Sequence, residues 1–305
     1  MPPFKMNLAP EHERSVCQLE ASGDYRVLRR LPTSREIWCR SMPCAIQTDT
    51  TFVAVCDTET TGTSPEDKMI EIGIVLMAID RHTGDLVDIL PAKSWLEDPG
   101  GPLPDVIADL TDLSDADLCG QQFADAEIIQ LLSEVDVIVA HNAAFDAAFL
   151  LRRFPEITTP WACSMSEIDW NAHGYGHRRG LDALLNAAGW FPDESHRAGP
   201  DAWSTGCLLA RTADDGKTLA WHLVQRAQRP TARVYATNAP FSQKDALKSA
   251  GYRWDAARKV WSLEGEPERI ANEATWLASL HPQIVPRIEP RTWHNRWSSY
   301  QRLRP

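Results

Sequence analysis

The chain has 305 residues, 43% hydrophobic and 24% charged, an ordinary globular composition with room for one sizeable core and a smaller second unit. No apolar run approaches the length of a membrane span, and the opening MPPFKMNLAPEHER lacks the apolar stretch of a secretory signal. These features argue against a membrane partner and point to a cytoplasmic protein. The net charge of −11 is unevenly divided: residues 1–50 carry 7 basic and 6 acidic side chains, residues 51–212 carry 9 and 27, and residues 213–305 carry 15 and 9. A basic C-terminal part beside an acidic body fits a nucleic-acid-facing appendage and, equally, a solvated basic surface.

Residues 1–50 have weak periodicity; LEASGDYRVLRRLP can form a short strand or helix in an N-terminal extension of unknown role. From Thr51, TFVAVCD reads as a strand, MIEIGIVLMAID as a second and LVDILPAKSWLEDP as a third in a meander. LPDVIADLTDLSDADLCGQQF reads as short helices with Asp and Ser caps, FADAEIIQLLSEV as a helix and DVIVAHN as a buried strand. FDAAFLLRRF is a helix halted by Pro155, RRGLDALLNAAGW one that closes on Gly189, and DAWSTGCLLARTA the last helix of a unit spanning 51–212. Strands followed by alternating helices and strands predict an α/β unit with a central mixed sheet flanked by helices. Residues 213–230 hold a connecting helix, LAWHLVQRAQ. Residues 231–280 read as strand, helix, hairpin and helix, a small α+β domain, and 281–305 as a proline-bearing tail that is extended or ordered against a partner. The seven cysteines form no Cys-x-x-Cys pair. Cys39 and Cys44 are the closest two, without a second pair at zinc-site spacing, so free thiols are expected.

Three short blocks carry the chemistry. In VAVCDTETTG, Asp57 and Glu59 stand two apart at a strand end, so alternation places both carboxylates on one face. A solvated strand terminus would produce the same pair. In AHNAAFD, Asp146 falls in the first turn of a helix, where capping alone would account for it, and Phe145 can equally be core. His141 and Asn142 are read as bracing this loop by hydrogen bonds. In HRAGPDA, a loop histidine, His196, and a helix-borne Asp201 can face one cavity, although a lone histidine is usually structural. Gathered carboxylates repel one another unless divalent cations offset them, and hard oxygen ligands suit Mg²⁺ or Mn²⁺. An imidazole beside them suggests a proton to be moved.

Together the blocks resemble the DEDDh superfamily of 3′→5′ exonucleases, those similar to the proofreading (epsilon) subunit of bacterial DNA polymerase III, over about residues 51–212. LPDVIADLTDLSDADLCGQQF also resembles that family's I-P-x-x-I-x-x-L-T-G-I stretch, with Asp112 where glycine is frequent. The resemblance implies an RNase H-like five-stranded mixed sheet and a two-metal mechanism. In it Asp57, Glu59, Asp146 and Asp201 hold two Mg²⁺ or Mn²⁺ ions, and His196 acts as general base. Thr60, Thr61 and Gly62 would touch the terminal nucleotide and Phe145 would wedge against its base. Family members act on DNA or on RNA. DNA with a single-stranded or frayed 3′ end is the favoured substrate, proofreading or repair the implied setting, and a polymerase or repair protein a conceivable partner. A catalytically silent, nucleic-acid-binding or polymerase-bound scaffold would be expected to have lost one of the five residues, and all are present.

The segment KDALKSAGYRWDAARKVWSL is similar to small Trp/basic modules appended to DNA-processing proteins. Lys244, Arg253, Trp254, Lys259 and Trp261 can line a hairpin face that stacks on bases and contacts phosphates. The alternative is that Trp254 and Trp261 build the core of a very small domain; one tryptophan buried and one exposed would satisfy both.

Overall fold

The computed structural model describes residues 10–31, 49–256 and 258–297, and the chain divides into two compact units, Met1–Arg226 and Ala227–Pro305. Cys39, Cys44 and residues 298–305 of the tail lie outside the described residues; Cys17, Cys56, Cys119, Cys163 and Cys207 are free thiols. No helix among the described residues is long and apolar enough to cross a membrane.

In the first unit, α1 (Pro10–Ala21) carries Glu11 and Glu13 in its first turn, where carboxylates suit the helix dipole. It is followed by the two-residue strand β1 (Arg29–Arg30). β2 (Thr50–Thr60) and β3 (Met69–Asp80) form a long antiparallel pair running from Thr50↔Asp80 to Glu59↔Glu71. Both are buried along most of their length and carry a continuous apolar run, Phe52–Cys56 in β2 and most of β3, as strands covered on both faces do. The stretch expected as one third strand is two, β4 (Leu86–Ile89) and β5 (Lys93–Leu96), each antiparallel to β3. Pro91 stands between them, and proline has no N–H to continue a ladder.

The helical stretch resolves into α2 (Asp105–Thr111), α3 (Asp115–Leu118) and α4 (Asp125–Ser133). Asp112 closes α2 in the left-handed region at φ 54°, which explains why glycine suits that position; aspartate is among the few other residues that tolerate it. Ser114 and Asp117 form a reciprocal capping box on α3. β6 (Val137–Ala140) runs parallel to β2, α5 (Ala143–Arg153) follows, and β7 (Trp161–Cys163) runs parallel to β6. The sheet order is β4-β3-β2-β6-β7, with β5 also on β3. This is an RNase H-like mixed sheet with a short additional strand.

Next come α6 (Ser164–Glu167), α7 (Leu181–Ala188), β8 (Trp190–Phe191), paired in parallel with β1, and α8 (Ala198–Leu209), which packs on β3 and β2. α9 (Leu219–Gln228) carries the chain into the second unit.

There, β9 (Thr231–Thr237), α10 (Lys244–Ser249), β10 (Arg253–Asp255), β11 (Val260–Gly265), α11 (Pro267–Leu280) and β12 (Val285–Arg291) form an antiparallel sheet of order β10-β11-β9-β12 with helices. Its core gathers Val234, Leu247, Tyr252, Ile270 and Leu277. The proline-bearing tail thus supplies a strand, β12, paired with β9 from Val285↔Thr237 to Arg291↔Thr231. Its position at the sheet edge tolerates Pro286 and Pro290.

Candidate active site

β2 ends at the acidic block. Asp57 lies opposite Gly73 of β3, and Glu59 opposite Glu71. One carboxylate oxygen from each of Asp57, Glu59 and Asp201 lies within 4.8 Å of the other two, an arrangement able to hold a metal ion. Asp146 stands outside that group of three but is buried, and its Oδ1 accepts a 2.8 Å hydrogen bond from Thr58 Oγ1 of β2. Asp146 does stand in the first turn of α5, as expected, and its side chain also reaches β2. His196 is exposed and sits in the left-handed region at φ 58°; its backbone N–H donates to Asp201 Oδ2 at 3.1 Å.

The electrostatics are those of a site short of positive charge. Burial, then the neighbouring Asp146, Asp201, Glu59 and Glu71, push the Asp57 carboxyl well above its ordinary range. Burial, reinforced by Asp201 and Glu71, pushes Glu59 up to about 8. Burial raises Asp146, and raises Asp201 to about 6. Carboxyls held this high release their protons readily only when a cation shares the site. The donor set is all oxygen and suits a hard divalent ion.

The neighbouring loops are tightly tied. Thr60 is buried, and Thr61 Oγ1 donates to Asp67 Oδ1 at 3.1 Å. Gly62 lies so close to Asp67 that a side chain there would meet its carboxylate at 2.6 Å. Phe145 is half-buried, its ring 4.9 Å from that of Phe149. His141 is buried with both ring nitrogens engaged, Nε2 donating to Arg179 O at 2.7 Å and Nδ1 paired with Ser164 Oγ at 2.9 Å. It braces the loop after β6. Asn142 precedes α5 and is exposed.

Sequence reasoning passed over Glu71, Arg197 and Thr58. Glu71 is 1% exposed; its Oε2 accepts from Arg197 Nε at 2.9 Å and from the backbone N–H of Ala198 at 3.2 Å. The available signal was a single carboxylate inside the apolar run MIEIGIVLMAID, a placement that costs stability unless the charge is paired.

In the second unit, Trp254 and Trp261 face each other directly across β10 and β11, ring centroids 5.6 Å apart. Trp261 is half-buried against the core cluster, while Trp254 is 51% exposed. Arg253, one residue away, projects to the opposite face of the sheet by strand alternation, so the hairpin does not bring it beside Trp254. Lys259 is exposed in the hairpin turn at φ 51°, and the exposed Lys244 lies 5.5 Å from the ring of Phe241. On the Arg253 face, Arg233 pairs with Glu264, and Tyr235 donates to Glu289 while accepting from Arg258.

Among curated proteins, residues of this chain are similar to the DNA polymerase III PolC-type of Streptococcus suis, 31% identical over 171 residues, covering 54% of this chain and 11% of that protein. The PolC-type enzyme of Clostridium perfringens is 36% identical over 106 residues, covering 34% of this chain and 7% of that protein. The chain thus spans about a tenth of the length of these relatives. Among solved structures, exonuclease X in complex with 5′-overhanging duplex DNA aligns with a TM-score of 0.40 at 23% identity, over 54% of this chain and 96% of the other. The zinc-bound E. coli ExoI–ssDNA complex aligns with a TM-score of 0.45 at 11% identity, over 80% and 63%. The family model described as Exonuclease, RNase_T, matches residues 54–206, half of the chain and the stretch that holds all five residues of the three blocks, so the chain belongs to this family of 3′→5′ exonucleases.

Proposed function

We propose that the protein hydrolyses phosphodiester bonds at DNA 3′ ends, using divalent metal ions and releasing nucleoside 5′-monophosphates. The convergence of Asp57, Glu59 and Asp201, with the backbone N–H of His196 donating to Asp201, carries this reading. Asp57, Glu59, Asp146 and Asp201 would hold two Mg²⁺ or Mn²⁺ ions, which when bound lower the pKa of water and stabilise charge on the attacking and leaving oxygens. His196 takes the proton of the attacking water. The water oxygen bonds to phosphorus as the bond to the 3′ oxygen breaks, leaving a strand one nucleotide shorter with a new 3′ hydroxyl. Thr60, Thr61 and Gly62 hold the terminal nucleotide, with Phe145 against its base. Similarity to PolC-type DNA polymerases supports DNA over RNA, and a proofreading or repair setting with a polymerase partner.

The second unit adds a nucleic-acid contact. Trp254, held from behind by Trp261, presents an indole on which a base of the strand stacks. Lys259, in the hairpin turn, and Lys244, beside the exposed ring of Phe241, meet phosphates; Arg253, on the opposite face of the sheet, is not part of this surface.

The test is digestion of matched 3′-labelled and 5′-labelled DNA and RNA oligonucleotides with Mg²⁺ or Mn²⁺, beside Asp57→Ala. Metal-dependent shortening of DNA from the 3′ end, abolished in the variant, is expected. No shortening of any substrate would overturn the enzymatic reading, and faster shortening of RNA than of DNA would overturn the substrate assignment.

A further inference from the structure

A fifth carboxylate stands at the acidic site, and its contacts set it apart from the other four. Glu71 lies directly across the strand pair from Glu59, yet its oxygens are taken up by the chain itself. Oε2 accepts from Arg197 Nε at 2.9 Å and from Ala198 N–H at 3.2 Å, and Oε1 accepts from Arg197 Nη2 at 3.3 Å. Arg197 directly follows His196, and Ala198 opens α8, the helix that carries Asp201. One buried side chain thereby grips the segment between the histidine and the aspartate.

The backbone fits the same grip. Glu71 and Gly73 share a face of β3, and a Cβ on Gly73 would lie 2.2 Å from the carbonyl oxygen of Ala198. A Cβ on Gly199 would lie 2.2 Å from Ser94 Oγ, and Ser94 is the register partner of Gly73 on β5. The start of α8 is therefore seated on β3 and β5, with glycine at both points of closest approach. The Arg197 guanidinium also draws Glu59 down while the other neighbours push it up, so the ion pair offsets charge at the edge of the metal site.

We propose that Glu71, acting through Arg197 and the Ala198 N–H, is the positioning residue that holds His196 and Asp201 against Asp57 and Glu59. It rests on the exonuclease reading but makes a separate claim: Glu71 fixes geometry and does not itself ligate metal. A carboxylate whose oxygens are occupied by a guanidinium and a backbone donor acts as an outer support, and loss of such supports typically costs about 10–100-fold in activity or metal affinity. A displacement of a reacting group by about 1 Å can cost a comparable factor.

The experiment compares Glu71→Gln, Arg197→Ala and the double variant with the intact chain. It reads oligonucleotide hydrolysis, Mn²⁺ binding by calorimetry, thermal unfolding and the nitrogen NMR signals of ¹⁵N-histidine-labelled protein. The expected result is a fall in kcat of about 10–100-fold with KM for the oligonucleotide changed less than about threefold, a shifted His196 signal, and a double variant no worse than the poorer single one. Two outcomes would overturn the proposal: lowered melting temperature with kcat and the His196 signal unchanged, which makes Glu71 merely structural, or loss of a stoichiometric Mn²⁺ in Glu71→Gln but not in Arg197→Ala, which makes it a ligand. An intact chain inactive on every oligonucleotide would defeat the exonuclease reading, and the histidine signals and Mn²⁺ stoichiometry would still decide the role of Glu71.

Discussion

The two units of this chain handle polar groups in opposite ways. In the first, carboxyl groups are pressed together at the end of buried strands, with the Arg197 guanidinium partly offsetting them. In the second, the sheet face that carries Arg233 and Tyr235 pairs its charges within the unit, while an indole and several lysines are left facing solvent. An exonuclease-family chain with this division has an electrostatically frustrated site and a relaxed surface. The lesson is where each should be sensitive: the first to loss of one side chain or to pH, the second, on the proposed reading, to salt and to strand length.

The largest effect is expected at Asp57. Asp57→Ala removes a carboxylate raised by burial and by four neighbouring acids, and activity should fall by on the order of 10³-fold or more, since a metal site supplies several kcal/mol of transition-state stabilisation. The same substitution relieves repulsion, so the metal-free variant should melt above the metal-free parent; differential scanning calorimetry with chelator measures this. A variant both less active and less stable would erase the contrast drawn between the units.

Next in size is His196→Ala, expected to lower kcat by about 10²–10⁴-fold, the usual range for a general base, while Mn²⁺ binding is retained. Loss of metal binding in this variant would assign His196 to the metal instead of the proton.

The second unit should respond more mildly. Trp254→Ala should weaken binding of single-stranded DNA by about 5–150-fold, the worth of one stacked base, with kcat at saturation unchanged. Lys259→Ala should reduce the slope of log affinity against log salt by about 1. Fluorescence anisotropy at several salt concentrations reads both, and unchanged affinity in the pair would return Trp254 to the role of packing partner for Trp261.

The smallest effect is on stability as a function of pH. Free carboxyls titrate near 4, but in the folded chain Asp201 is held at about 6 and Glu59 at about 8. The folded state therefore keeps protons that the unfolded state has released, and stability from these groups is lost as pH rises from about 4 through 8. The metal-free protein should melt at lower temperature at pH 8 than at pH 5, and Glu59→Gln should flatten the trend. Saturating Mg²⁺ should raise the midpoint more at pH 8, because ligand bound only to the folded state stabilises it. A metal-free protein that is more stable at pH 8 than at pH 5 would remove the case for a buried acid cluster.

Much of the site was legible because the blocks are local. Asp57 and Glu59 share a strand face by alternation, and His196 and Asp201 straddle a helix start. The order of strands and helices pointed to the mixed sheet, and the family match over residues 54–206 agrees with the resemblance read from the motifs. Less legible was the division of LVDILPAKSWLEDP into β4 and β5, since both stay in register with the same long strand and only Pro91 marks the break. β12 was hidden for a related reason: prolines read as a signal against a central strand, and an edge position cancels that signal.

The sequence by itself singled out the candidate side chains, because strand alternation and helix starts act over a few residues. Only the tertiary structure decided how they meet. Asp146 turns to Thr58, Glu71 grips Arg197, and Gly73 admits the first turn of α8; each contact joins segments about 90 to 130 residues apart. Burial on a sheet and the pairing of a costly charge depend on what lies across the fold, which no short window of sequence contains.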